Sequence, residues 1–151
     1  MSNSIKVGIV GASGYAGEDL LRLLLSHPRV ELVAVTSRQY AGQTVAQVFP
    51  RFAHQSRAKA LRFSEPKAES LAQQAEIVFL ALPHGVAAEF ALPLLQSGCR
   101  VIDLSADFRL KSAAVYREFY GHDHPAPELL AKAVYGLPEV YRDRIKGASL
   151  I

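Results

Sequence analysis

Only one cysteine, Cys99, occurs in 151 residues, which excludes an intrachain disulfide framework and fits a reducing compartment. No apolar run approaches the roughly 20 residues of a membrane helix, and the run Leu20–Leu25 is interrupted by Arg22. The opening Met1-Ser2-Asn3-Ser4-Ile5-Lys6 has no basic stretch followed by an apolar one, so no secretory leader is expected. Internal repeats and low-complexity tracts are lacking too. Charge of one sign is scarce: 17 Lys+Arg stand against 14 Asp+Glu, with the basic residues scattered rather than gathered in a stripe. That balance is no footprint for nucleic acid and suits a protein that handles anionic small molecules. What is present is a chain 50% hydrophobic and 21% charged, which excludes a disordered polymer, a coiled coil and a collagen-like repeat. At this length one domain is expected, soluble and cytoplasmic, burying about two-thirds of its unfolded surface.

Strand and helix patterns alternate. Ile5–Val10 is short, β-branched and ends at a glycine cluster, as a buried parallel strand does. From Gly14 to His27 the residues Ala16, Leu20, Leu21, Leu24 and Leu25 recur at three- and four-residue intervals, which predicts a helix stopped by Pro28. Val30–Thr36 predicts a second strand, followed by a long excursion without period to about Ser56. Lys59–Phe63 is expected to form a short third strand, Pro66–Gln74 a short helix, and Glu76–Leu82 a fourth strand closed by Pro83. His84–Ser97 reads as a helix kinked or broken at Pro93 and ended by Gly98, before a fifth strand at Arg100–Leu104. Weaker helical signals lie at Ser112–Tyr120 and Pro127–Ala133, then a turn at Tyr135–Glu139, an amphipathic stretch to Lys146 and a strand beginning at Ser149–Ile151. The alternation predicts an open parallel sheet with helices on both faces and a ligand crevice beyond the carboxyl ends of its strands.

Gly11-Ala12-Ser13-Gly14-Tyr15-Ala16-Gly17 lies between the first strand and the first helix. Missing side chains at Gly11 and Gly14 allow a tight turn and close approach of a diphosphate to backbone N–H groups, while Gly17 allows the helix to pack closely on the strand. Ser13 either adds a hydroxyl to the phosphate or caps the helix. An NAD site usually places a carboxylate at the end of the second strand for the ribose 2′-OH. Thr36-Ser37-Arg38 has none, and Ser37 with Arg38 suits a 2′-phosphate, so NADP is expected.

Three further positions follow strands. Leu82-Pro83-His84-Gly85 brings His84 to the crevice, where it either contacts the cofactor or substrate or caps the next helix. Asp103-Leu104-Ser105-Ala106-Asp107-Phe108-Arg109 offers Arg109, which either clamps an anionic substrate or forms a surface ion pair with Asp107; Ser105 and Asp107 can hold the loop through side-chain-to-backbone bonds. His122-Asp123-His124 reads as a solvated turn, and no metal is expected. Cys99 precedes the fifth strand, at the wrong end of the sheet for a nucleophile, and is expected to pack as a small apolar residue.

Taken together, Val7–Glu18, Thr36-Ser37-Arg38, Ala81-Leu82-Pro83-His84-Gly85, Asp103–Arg109 and Tyr135-Gly136-Leu137-Pro138-Glu139 resemble the N-acetyl-γ-glutamyl-phosphate reductases of arginine biosynthesis. The resemblance implies an α/β fold, a Rossmann-type doubly wound, mostly parallel sheet, and NADPH-dependent reduction of an acyl phosphate to N-acetyl-glutamate semialdehyde with release of phosphate. It implies that Gly11, Ser13, Gly14, Tyr15, Ala16 and Gly17 cradle the diphosphate and that Ser37 and Arg38 take the 2′-phosphate. Leu82, Pro83 and His84 complete the cofactor set, and Arg109 with Ser105 faces the substrate. In that family a cysteine thiolate displaces phosphate from an Asn-Pro-Gly-Cys segment, expected here just beyond Ile151, and a later histidine handles protons. Residues 1–151 are therefore expected to be an NADP-binding domain cut short before the substrate and oligomerisation domain, inactive alone, from a homo-oligomeric protein. Two alternatives stand beside it: a related aminoadipyl-phosphate reductase of lysine biosynthesis, and a non-catalytic dinucleotide-binding module.

Overall fold

The computed structural model describes residues 4–151; Met1–Asn3, the start of the segment read as carrying no leader, lie outside the described residues. Five strands, β1 (Ile5–Val10), β2 (Val30–Thr36), β3 (Phe63–Ser64), β4 (Ile77–Leu80) and β5 (Arg100–Asp103), form one sheet in the order β3-β2-β1-β4-β5. Every pairing is parallel. Leu150 adds a parallel bridge to Val101 on the far side of β5, with Val101 and Asp103 N–H groups donating to the Ser149 and Ile151 carbonyls. The expected doubly wound sheet is the fold observed.

Neighbouring residues on each central strand serve opposite faces. Val10, Ala34, Val78 and Leu80 join the core under α5 (Ala87–Gln96), whereas Ile9 and Val35 join the core under α1 (Tyr15–Leu24). Both sets are buried, which is why these strands read as continuous apolar runs rather than as alternation. On α1 the packed face is Gly17, Leu20 and Leu21, while Ala16, expected on that face, points to solvent. No helix among the described residues is long and apolar enough to cross a membrane.

Several boundaries differ from expectation. The segment after the long excursion is helical, α3 (Ser56–Ala60), and only Phe63 and Ser64 pair with β2. The excursion itself holds α2 (Val45–Val48), whose Thr44–Gln47 capping box satisfies two amides reciprocally, and a 3-10 turn at Pro50–Phe52. A short helix, α4 (Ala68–Ala72), precedes β4 as expected. Pro93 does not end α5, which runs through it as one helix, and α5 begins at Ala87 rather than at His84. Three more helices, α6 (Ala113–Tyr120), α7 (Pro127–Leu130) and α8 (Pro138–Lys146), follow β5 in the chain.

Candidate functional site

The loop after β1 is built around two glycines that the backbone itself demands. Gly11 has φ +77°, and a Cβ there would sit 2.4 Å from the Ala81 carbonyl oxygen. At Gly17 a Cβ would lie 2.5 Å from the Gly11 oxygen and 2.6 Å from Ala12 backbone atoms, so the start of α1 touches the loop directly. Gly14 is different. It is the N-cap of α1 and exposed, and nothing but the Gly11 oxygen, 3.7 Å away, would meet its Cβ. The protein does not need glycine at 14 for its own packing; the missing side chain leaves open space before the N-terminal amides of α1, where the helix dipole is positive. That is a cradle of the kind a dinucleotide diphosphate fits.

The end of β2 fastens this loop. Thr36, fully buried, accepts from the Gly11 N–H through its hydroxyl (3.3 Å) and from the Ala12 N–H through its carbonyl (3.0 Å). The Ser13 hydroxyl donates to the Ser37 hydroxyl (2.8 Å), which also accepts from the Tyr40 N–H (3.3 Å). Ser13 therefore links the loop to β2 and does not cap α1. Arg38 is exposed and enters no ion pair among the described residues. Gly11, Ser13, Ser37, Arg38, Leu82 and Pro83 line one groove of about 330 Å³, floored by Val10, Val86 and Phe90. The glycine loop, the β2 end and the β4 end, separate in sequence, thus meet at one place.

The second half of the crevice follows β5. Asp103 accepts from the Ser105 N–H (3.0 Å) and from the Ser105 hydroxyl (2.7 Å), and that hydroxyl accepts from the Asp107 N–H (3.1 Å). Burial pushes the Asp103 carboxyl above its ordinary value, the two Ser105 bonds pull it down, and Asp107 pushes it up again. Asp107 itself is fully buried, so the alternative of an exposed Asp107–Arg109 ion pair is not what forms. Its carboxylate reaches across to the β4–α5 turn and accepts from the Gly85 (2.6 Å) and Ala87 (3.1 Å) N–H groups. This accounts for the start of α5 at Ala87, and His84, exposed beside Tyr120, does not cap it.

Arg109 lines a cavity of about 370 Å³ with Asp103, Ser105, Tyr135, Gly136, Leu137 and Ile151. Lys111 ties the two walls together by donating to the Ala131 and Ala133 carbonyls. Two motifs some 30 residues apart in the chain therefore share one cavity, next to the end of β5.

The family model for the semialdehyde dehydrogenase NAD-binding domain matches residues 6–148. The chain belongs to this family. It is 54% identical over 148 residues to an N-acetyl-gamma-glutamyl-phosphate reductase of Akkermansia muciniphila, covering 97% of this chain and 42% of that protein. It is 44% identical over 151 residues to a (LysW)-L-2-aminoadipate/(LysW)-L-glutamate phosphate reductase of Saccharolobus solfataricus, covering 100% of this chain and 42% of that protein. The chain thus spans about 42% of the length of the curated relatives it matches. Among solved structures it shares its fold with aspartate semialdehyde dehydrogenase II of Vibrio cholerae, at TM-score 0.67 and 18% identity over 98% of this chain and 40% of that one.

Within this semialdehyde dehydrogenase domain, Cys99 is 4% exposed and its thiol donates to the Ala75 carbonyl (3.3 Å) at the amino ends of the strands, where burial pushes its pKa up. Packing, as expected, is its role. The solvated-turn reading of His122-Asp123-His124 is half wrong. His122 is exposed, but His124 is buried between Phe108 and Tyr116 with both ring nitrogens bonded, Nε2 to the Asp107 carbonyl (2.9 Å) and Nδ1 to the Ala126 N–H (3.0 Å). Tyr116 and His124, buried behind the loop and bonded to Asp107, have no sequence signal, because their partners come from other segments. The Thr44-x-x-Gln47 capping box is a local sequence signal for the start of α2.

Proposed function

We propose that residues 1–151 are the dinucleotide-binding portion of an acyl-phosphate reductase that uses NADPH to convert N-acetyl-glutamyl 5-phosphate to the 5-semialdehyde with release of phosphate, as in arginine biosynthesis. The single observation that carries the cofactor half is the groove that runs from Gly11 and Ser13 of the glycine loop to Arg38, with no carboxylate at the end of β2. In this reading Gly11–Gly17 receives the diphosphate, Ser37 and Arg38 take the 2′-phosphate, and Leu82, Pro83 and His84 border the nicotinamide half. When bound, the reduced dinucleotide supplies the hydride. Arg109, at the mouth of its own cavity, holds an anionic group of the substrate, and Ser105, already bonded to Asp103 and Asp107, sets the loop that carries it. Support for the substrate half comes from the reductases that share half of this chain's residues. The Saccharolobus solfataricus relative, 44% identical over this segment and named for other acyl groups, supports a choice of acyl group outside these residues.

Cys99 cannot serve as the nucleophile from its buried place, so these residues bind the cofactor without turning over, and the whole enzyme is a cytoplasmic homo-oligomer. Isothermal titration tests the reading. NADPH is expected to bind at least tenfold more tightly than NADH, and Arg38→Ala to remove most of that preference, a charge-assisted contact being worth about 1.5–3 kcal/mol. A preference for NADH, or no binding of either, would refute it.

A further inference from the structure

Asp107 joins the two halves of the crevice. Its side chain holds the β4–α5 turn: Oδ1 accepts from the Gly85 N–H (2.6 Å) and from the Tyr116 hydroxyl (3.3 Å), and Oδ2 accepts from the Ala87 N–H (3.1 Å). The Asp107 backbone is held from the other side. Its N–H donates to Ser105 Oγ (3.1 Å), and its carbonyl accepts from His124 Nε2 (2.9 Å). Because the Ala126 N–H donates to His124 Nδ1, that nitrogen carries the lone pair and Nε2 carries the proton. Every polar atom around Asp107 thus has a fixed direction. Gly85 lies at φ +86°, which glycine adopts freely but does not prefer, so the backbone alone does not fix this turn. On its far side the turn lines the cofactor groove through Leu82, Pro83 and Val86. Two residues beyond Asp107, Arg109 lines the other cavity.

We propose that Asp107 is a positioning residue that locks the cofactor-side turn, residues 82–87, to the substrate-side loop, residues 103–109, so that filling the dinucleotide groove stiffens the loop presenting Arg109. The coupling half of this rests on the dinucleotide reading above; the lock itself does not. The carboxylate is suited to the task because both oxygens accept, whereas an amide accepts at one atom only and sets an NH2 against the other backbone N–H. Burial makes that mismatch costly, since no water replaces the lost acceptor.

The test is amide hydrogen exchange with NADPH titration on the 151-residue chain, its Asp107→Asn variant and a Tyr116→Phe control. In Asp107→Asn, exchange at Gly85 or Ala87 is expected to accelerate at least tenfold and the NADPH Kd to rise about fivefold to tenfold, the amides having lost a buried charged acceptor. Tyr116→Phe removes one bond to Asp107 without freeing either amide, so its NADPH Kd is expected to stay within about twofold even if its stability falls. In the unmodified chain, saturating NADPH is expected to slow exchange at the Arg109 N–H, which bonds to the Ala106 carbonyl (3.3 Å), as well as at Gly85 and Ala87. That measurement needs no variant, so a misfolded Asp107→Asn does not remove the test. Unchanged exchange at both amides in a folded Asp107→Asn overturns the lock, and NADPH protection confined to residues 82–87 overturns the coupling. Failure of the unmodified chain to bind NADPH refutes the dinucleotide reading, and with it the coupling, while exchange in the ligand-free variant still decides the lock.

Discussion

Replacing Gly17 by alanine separates packing from ligand binding in the glycine loop. An added Cβ would lie 2.5 Å from the Gly11 oxygen and 2.6 Å from two Ala12 backbone atoms, none of which can rotate away. The first turn of α1 must then retreat by about 1 Å, and because all three atoms are backbone the overpacking falls at the upper end of its range, about 2–3 kcal/mol. Roughly 1 kcal/mol of that is offset because alanine is the better helix former. For a chain of this size a net loss of about 1–2 kcal/mol lowers Tm by roughly 2–8 °C, measurable by circular dichroism. Gly14→Ala should behave in the opposite way. Its φ of −80° is ordinary and its Cβ meets no protein atom closer than 3.7 Å. The poorer N-cap and the stiffer unfolded chain offset each other, leaving Tm within about 2 °C, while NADPH affinity should fall more than tenfold. A Gly17→Ala chain as stable as the parent would refute the close-packing argument. Full NADPH affinity in Gly14→Ala would show that the diphosphate does not approach there.

Two further outcomes follow from burial. Burial, with Asp107 next, pushes the Tyr116 phenol up to about 12, so in an ultraviolet titration of the six tyrosines it should ionise last. An unfolded tyrosine titrates near 10, so the unfolded chain releases this proton first; stability is intact below about pH 10 and falls as pH rises towards 12. Tyr116→Phe should flatten that decline, and six tyrosines titrating together near 10 in the folded chain would contradict it. Burial likewise raises the Cys99 thiol and covers it, so at pH 8 alkylation by iodoacetamide should be about a hundredfold slower in the folded chain than after unfolding. Rapid alkylation of folded protein would reverse the assignment of Cys99 to the core.

The parts of the fold that were legible in the sequence are those whose cause is local. Ile5–Val10, Val30–Thr36 and the glycine loop between them carry their own pattern, because strands buried on both faces are mostly apolar and a tight turn needs glycine. β3 was misplaced because two paired residues are too short to show a period. The start of α5 was misplaced for another reason: its capping carboxylate comes from Asp107, 20 residues after Ala87. His124 looked polar and exposed because its neighbours are, and only the tertiary partners of both ring nitrogens make its burial tolerable. The glycine loop and the Thr36-Ser37-Arg38 end of β2 carry local signals. The Arg109 cavity depends on Tyr135, Gly136 and Leu137 returning to β5, which no spacing announces.

The distant cap on α5 also sets an order of assembly. As the chain emerges during synthesis, residues 87–96 precede the group that completes their first turn, and a helix of 10 residues is marginal alone. α5 becomes a finished element only after β5 has joined β4 and the loop beyond it has folded back. A chain interrupted before residue 107 would carry its glycine loop but lack the carboxylate that holds the Gly85 and Ala87 amides beside the groove.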